Sequence, residues 1–107
     1  MSHPVRLTRL AEADIAQAFD WYEGKKEHLG FEFIDQVERA IRSISEHPLS
    51  HRKIIEDVRR CNVERFPYGL WYRVEEDGSI VIACLHHKRS PERAAARARR
   101  GLRDPHL

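Results

Sequence analysis

The side chains best suited to bind a second molecule are concentrated in the second half of this 107-residue chain. Residues 58–107 carry 11 Lys and Arg against 6 Asp and Glu, a net charge of +5, whereas residues 1–57 have a net charge of −3. A basic half favours an acidic partner, either a nucleic acid or an acidic protein segment. On charge alone, the simpler interpretation is a set of Arg side chains that decorate a solvated surface.

The thiols and imidazoles form no pattern typical of a metal site or a nucleophilic enzyme. Cys61 and Cys84 belong to no CxxC motif and fall in predicted strands, where small buried hydrophobic side chains are expected. His86 and His87 are adjacent, so on a strand they point to opposite faces and are poorly placed to share a metal. No phosphate-binding, dinucleotide-binding or serine-hydrolase motif is present. We therefore expect neither a metal nor a cofactor.

Length and composition indicate one small polar domain spanning residues 1–107. Hydrophobic residues make up 41% of the chain and charged residues 34%, which is typical of a globular protein. The longest apolar run, residues 80–85, is far too short to cross a bilayer, and the first residues do not resemble a signal segment. We expect a cytoplasmic protein without a membrane partner.

Two amphipathic helices are predicted in the first half. Residues 10–26 place Ala11, Ile15, Ala18 and Tyr22 on one stripe, and residues 31–47 continue a seam that begins at Gly30. Pro48 ends the second helix. Because the connection between them is short, the helices should pack as an antiparallel hairpin. Residues 48–57 are polar and are predicted to be irregular.

The remaining pattern has the period of strands. Residues 4–8 predict a first, edge strand, and apolar residues alternate from Val58 to Glu64 and from Leu70 to Glu75. Asp77-Gly78 is predicted to be a two-residue hairpin turn, because both residues tolerate positive φ. Residues 80–85 are apolar on both faces, which indicates an interior strand, and this pattern places His86 on the face of Ile82 and Cys84.

A short final helix is predicted to start with Ser90 as N-cap and Pro91 at the first position. Residues 91–107 are rich in Arg and Ala and have little bulky apolar surface, so we expect a helix and tail that are loosely docked or ordered by a partner. The predicted fold is α+β: an N-terminal strand, an antiparallel helical hairpin and a three-stranded antiparallel meander that form one sheet with helices on one face, followed by a short C-terminal helix.

Several short motifs occur in a characteristic order along the chain. They are Ala13-Asp14-Ile15, Trp21-Tyr22, Arg65-Phe66-Pro67-Tyr68-Gly69 with Tyr72-Arg73-Val74, and His86 to Arg89 followed by Pro91. This order resembles the RelE/ParE toxin superfamily of type II toxin–antitoxin modules, whose members are often described as plasmid-stabilisation proteins. The resemblance covers residues 5–92, and the family fold has the layout derived above.

The resemblance implies a small bacterial growth-inhibiting toxin whose cognate antitoxin folds onto its helices and sheet. ParE-like members bind DNA gyrase, which is the first expectation here. RelE-like members cleave messenger RNA on the ribosome, and an inactive antitoxin-binding module is a third alternative. A homodimer or a toxin–antitoxin hetero-oligomer would be compatible with each.

The resemblance also implies roles for particular residues. Under the ribonuclease alternative, Arg65 and Arg89 would clamp a phosphate, and His86 or His87 would supply acid–base function. The chain departs from RelE-like members where they have a catalytic Tyr, since residues 93–96 are Arg and three Ala, and this favours the ParE alternative. Target or nucleic-acid binding would involve Arg59, Arg60, Arg65, Tyr72, Arg73 and Arg89, and antitoxin binding would involve Trp21, Tyr22 and Arg60.

Each of these residues also has a purely structural interpretation. Tyr72 shares a face with apolar residues of its strand, which favours core packing. The pair Trp21-Tyr22 is also most simply a core feature, although one of the two rings must point away from the helix stripe. His86 would be a half-buried, hydrogen-bonded histidine. The Arg pair at 59 and 60 would discourage edge-to-edge pairing, and the Arg side chains of the last helix would be solvated.

Overall fold

The computed structural model describes residues 3–89 and 91–101, and it has the predicted α+β architecture. A five-stranded sheet has the order β1-β5-β4-β3-β2, in which β1 pairs parallel with β5 and the other pairs are antiparallel. No helix among these residues is long and apolar enough to span a membrane. In chain order the elements are β1 (Val5–Leu7), α1 (Arg9–Lys25), α2 (Leu29–Glu46), β2 (Lys53–Ile55), β3 (Val58–Val63), β4 (Tyr68–Glu75), β5 (Gly78–His86) and α3 (Pro91–Gly101).

The hairpin of α1 and α2 covers one face of the sheet, as its hydrophobic stripes predict. Helix α1 begins where the Thr8 hydroxyl accepts a hydrogen bond from the amide of Ala11, at 3.1 Å. The predicted seam of α2 is buried along its whole length. Both helices pack on strand residues that point to this face, and together they form the larger core cluster: Ala11, Ala18, Tyr22, Phe33, Val37, Ala40, Ile44, Cys61, Val63, Leu70, Tyr72, Val81 and Cys84.

Helix α3 lies on the opposite face of the sheet. Ala94 and Ala98 are buried against Trp71, Ile80 and Ile82 in a second core cluster. Because Ala adds only a methyl group, the helix backbone can approach the strands closely even though the helix has no bulky apolar side chain. The predicted N-cap at position 90 and the predicted tail at 102–107 lie outside the described residues.

Two local predictions were wrong. The segment 48–57 is not wholly irregular, because Lys53–Ile55 forms β2 and pairs with β3 at the sheet edge. The hairpin loop is Glu76-Asp77 rather than Asp77-Gly78, since Gly78 already pairs with Glu75. The reason for glycine at 78 is space: φ is 145° there, and an added Cβ would lie 2.5 Å from the carbonyl oxygen of Pro4.

A bulge in β5 changes which side chains share a face. On β4, Trp71 and Tyr72 are consecutive, but their partners on β5 are Ala83 and Val81, so Ile82 is an extra residue in that strand. Val81 and Cys84 consequently both belong to the core beneath the helical hairpin, and Ile82 belongs to the core beneath α3. The prediction that Ile82 shares a face with Cys84 was therefore wrong.

Candidate functional site

A cleft of about 790 Å³ lies beside the second half of β5. It exists because the parallel partner β1 ends at Leu7, opposite Val81, whereas β5 continues to His86. Helix α1 forms one wall of the cleft and the start of α3 forms another. The lining residues are Asp14, Gln17, Ala18, Trp21, Tyr22, Pro67, Tyr68, Cys84, Leu85, His86, Lys88, Arg89, Arg93 and Arg97.

Aromatic rings form the inner side of the cleft. Tyr22 is 8% exposed and packs edge-to-face on Phe66 and Tyr68, with centroid distances of 4.9 and 6.1 Å. Trp21 is 57% exposed and meets Tyr22 edge-on, so the ring that points away from the α1 stripe is Trp21. Of the predicted antitoxin-binding pair, one ring therefore belongs to the core and the other to the surface.

A largely buried ion pair between Asp14 and Arg97 closes the open side of β5. Two guanidinium nitrogens of Arg97 contact the Asp14 carboxylate at 2.5 and 3.2 Å, and the side chains are only 13% and 14% exposed. Asp14 also accepts a hydrogen bond from the amide of Cys84 at 3.0 Å, and Arg97 donates to the carbonyl of Ile82 at 3.3 Å. The pair thus substitutes for a neighbouring strand and ties α1, β5 and α3 together.

The expectation that the Arg side chains of the last helix are solvated was wrong for Arg97. No local signal predicts this contact, since Asp14 and Arg97 are 83 residues apart in the sequence. The β5 bulge that presents the Cys84 amide also cannot be predicted from the sequence, because residues 80–85 are uniformly apolar and show no alternation. Asp14 belongs to the Ala13-Asp14-Ile15 motif of the resemblance, but no role was predicted for its carboxylate.

His86 faces the cleft among cationic side chains. Its ring packs against Tyr68 at a centroid distance of 5.3 Å, and its Nδ1 accepts a hydrogen bond from the amide of Lys88 at 3.1 Å. Arg89 lies close enough to Tyr68 to oppose the rise in the pKa of that phenol, which is caused mainly by burial. Lys88, Arg89 and Arg93 are exposed, so they form a cationic rim beside an interior that contains several aromatic rings.

Arg65 lies at the same end of the sheet as Arg89 but does not line the cleft. The β3–β4 turn that carries Arg65 is joined to the end of β5 by a hydrogen bond from the amide of His87 to the carbonyl of Pro67, at 2.8 Å. Arg65 has φ of 72° and places its guanidinium 3.5 Å from Glu32 on α2. The structure brings His86 and Arg89 together at the cleft, whereas Arg65 and exposed His87 are not among its lining residues.

The other predicted binding residues lie elsewhere and make internal contacts. Arg59 donates hydrogen bonds to the carbonyls of Leu49 and His51, at 3.2 and 2.7 Å, and so holds the loop before β2. Tyr72 is completely buried and donates to the carbonyl of Pro48 at 2.6 Å. Arg59 and Tyr72, which the resemblance associates with target binding, therefore make internal contacts that hold the loop before β2.

Arg60 and Arg73 are directed toward the α3 side of the sheet. The Arg60 guanidinium lies 5.4 Å from the ring centroid of Trp71, in a cation–π contact. Arg73 contacts Asp57 at 3.1 Å and reaches the carbonyl of Ala98 near the end of α3, at 3.5 Å. The six predicted target-binding residues therefore do not form one continuous patch.

Neither thiol is placed for chemistry at neutral pH. Burial raises the pKa of Cys61 to about 11 and that of Cys84 to about 12, so both remain protonated. Within residues 3–89 and 91–101, no group of three or more His, Cys, Asp or Glu side chains is arranged to hold a metal ion. The side chains that line the cleft offer contact through charge and through apolar surface.

Comparison with known proteins agrees with this architecture. The sequence profile described as "ParE toxin of type II toxin-antitoxin system, parDE" matches residues 5–91. Among solved structures, a chain from the chromosomal ParDE toxin–antitoxin system of P. aeruginosa superposes with a TM-score of 0.71. That match has 16% sequence identity and covers 79% of this chain and 96% of the other, so it supports the fold. No curated protein sequence matches the chain at a significant level.

Proposed function

This chain belongs to the ParE toxin family of type II toxin–antitoxin systems, and from this premise we propose that it inhibits growth by binding DNA gyrase and is neutralised by a cognate antitoxin. The observation that carries the proposal is the family match across residues 5–91, which includes the α1 wall of the cleft and strand β5 but not the α3 wall. Gyrase is the target that the family resemblance implies.

The geometry of the cleft supports a binding role more than a cleavage role. Ribonuclease chemistry needs a base, a proton donor and cations that converge on one phosphate. Here the Nδ1 atom of His86 already accepts the Lys88 amide, and Arg65 faces Glu32 outside the cleft. The aromatic interior and exposed Trp21 instead offer contact area for a protein partner.

One observation favours messenger RNA cleavage as a second candidate. His86 and Arg89 line the same cleft, so an imidazole and a guanidinium are available to one bound phosphate. Under this alternative Arg89→Ala should abolish growth arrest, because the phosphate clamp is lost. Arg100→Ala, an exposed position on α3 outside the cleft, is the matched control.

A pair of assays on the purified chain tests the proposal. In a supercoiling assay, micromolar toxin should inhibit gyrase, while a reconstituted translation reaction with the same toxin should retain intact message. Cleaved message with normal supercoiling would replace the proposed function with the ribonuclease alternative. Full gyrase activity together with intact message at micromolar toxin would contradict both.

A further inference from the structure

We infer that the cleft receives a short acidic peptide segment, which inserts one bulky apolar side chain between Ala18, Trp21 and Leu85 and places its carboxylates on the cationic rim. The rim is defined as Lys88, Arg89 and Arg93. The inference rests on the proposed function in one respect, because a protein partner of the toxin would supply the segment.

The charge of the cleft selects an acidic ligand. The lining contains four Lys and Arg side chains and a single carboxylate, Asp14, which is already engaged by Arg97. Several other guanidinium groups are placed beside carboxylates: Arg6 with Asp77, Arg65 with Glu32, Arg73 with Asp57 and Arg99 with Glu56. Among the described residues, the rim cations have no such carboxylate partner, so they remain available to a ligand.

The aromatic interior favours an apolar side chain over a stacked nucleic-acid base. The Tyr68 ring is already in contact with Tyr22, Phe33 and His86. The Lys25 ammonium lies over the Trp21 ring, 4.8 Å from its centroid. Since base recognition by stacking requires an open ring face, these rings are better suited to aliphatic and edge contacts. The rim consists of only three cationic residues, so it fits a short acidic segment better than a long polyanion.

The Asp14–Arg97 pair determines how the segment docks. A peptide that extends a sheet needs free amide and carbonyl groups along the edge strand. Here Asp14 accepts from the Cys84 amide, and Arg97 donates to the Ile82 carbonyl. Strand addition at this part of β5 is therefore blocked, and recognition depends on side chains in the cleft.

Binding of defined peptides to the ¹⁵N-labelled chain tests the inference by NMR. The probes are blocked pentapeptides with four Glu and a central Phe, four Glu and a central Ala, or four Lys and a central Phe, together with a pentauridylate RNA. The Glu/Phe peptide should produce saturable shifts of the Trp21 indole and the amides of Leu85 and Arg89. The central Ala should weaken binding roughly tenfold, because an apolar side chain is no longer buried, and the Lys peptide should give no shifts.

Matched variants separate the cleft from the rest of the surface. Arg93→Glu should abolish binding of the Glu/Phe peptide, whereas Arg100→Glu makes the same charge change on α3 outside the cleft and should preserve it. Trp21→Ala should weaken binding, while Phe31→Ala should not, although the two rings are 57% and 58% exposed. Far-UV circular dichroism of each variant confirms that it is folded.

Three outcomes would overturn the inference: no saturable shifts with the Glu/Phe peptide, shifts that map outside the cleft, or tighter binding of the RNA at the same resonances. The result is independent of the gyrase assay. A chain that binds the acidic peptide but leaves supercoiling intact would retain the cleft as a peptide site and remove gyrase as the target. Gyrase inhibition by a chain that does not bind the peptide would retain gyrase as the target and remove the cleft as a peptide site.

Discussion

Replacing Asp14 with Ala should lower the free energy of unfolding by about 3–5 kcal/mol, because it removes one partner of a buried ion pair. The Arg97 side chain is only 13% exposed, and its guanidinium would be left without its carboxylate. The same change also removes the acceptor of the Cys84 amide, and an unsatisfied buried donor costs about 1–3 kcal/mol of that total. Since whole domains are stable by about 5–15 kcal/mol, the effect is readily measured.

Urea unfolding followed by tryptophan fluorescence measures this loss, because Trp71 is 3% exposed in the folded chain. Arg97→Met should also be destabilising, and the double variant should lose less than the sum of the single losses, with a coupling of about 0.5–3 kcal/mol. The double variant should still be less stable than the wild-type chain, because the Cys84 amide lacks an acceptor in it.

Arg99→Met is the matched control for this series. Its partner is Glu56, and the two side chains are 62% and 46% exposed, so the change should cost at most about 1 kcal/mol. If Asp14→Ala proves no more costly than this control, or if the losses of Asp14→Ala and Arg97→Met simply add, the ion pair does not hold α1, β5 and α3 together.

Two pH dependences follow from buried titratable groups. Burial raises the pKa of the Cys84 thiol to about 12, so the contribution of this group to the free energy of unfolding is complete below the free-thiol pKa of about 8.5 and decreases as the pH rises toward 12. Cys84→Ala should therefore make the decline in the free energy of unfolding between about pH 8.5 and 10 less steep. An unchanged slope would argue against this cause. Burial, with smaller contributions from His47 and Arg59, lowers the pKa of His51, so its stabilising contribution is present above pH 6.5 and decreases as the pH falls below that value. Thermal unfolding from pH 7 to 5 should depend less on pH in His51→Gln, and parallel wild-type and variant curves would contradict this assignment.

The sequence was sufficient to predict the helical hairpin and the order of the main strands, because each has a clear period. The α2 seam from Gly30 to Ile44 is buried throughout, and Tyr72 packs in the core as its strand alternation indicates. Strand β2 was missed because it has only three residues and its burial pattern is that of an edge. Short edge strands are defined by their neighbours, which local periodicity does not record.

The candidate site was less predictable because tertiary contacts create it. The resemblance indicated Trp21, His86 and Arg89, which all line the cleft, but it also indicated Arg59 and Arg73, which make internal contacts. Arginines of these two groups have the same intrinsic chemistry. They differ only in whether the fold provides an internal acceptor, so charge patterning alone could not separate them.

Helix α3 connects the electrostatics of the cleft to the packing of the second sheet face. The buried Ala94 and Ala98 fix the helix on the strands, and this position brings Arg97 to Asp14 and Arg93 to the rim. Without α3, the cleft would lose two cations and retain an unpaired carboxylate. Its preference for acidic ligands therefore depends on the docked helix, and by thermodynamic linkage a ligand that binds the rim must also stabilise that docking.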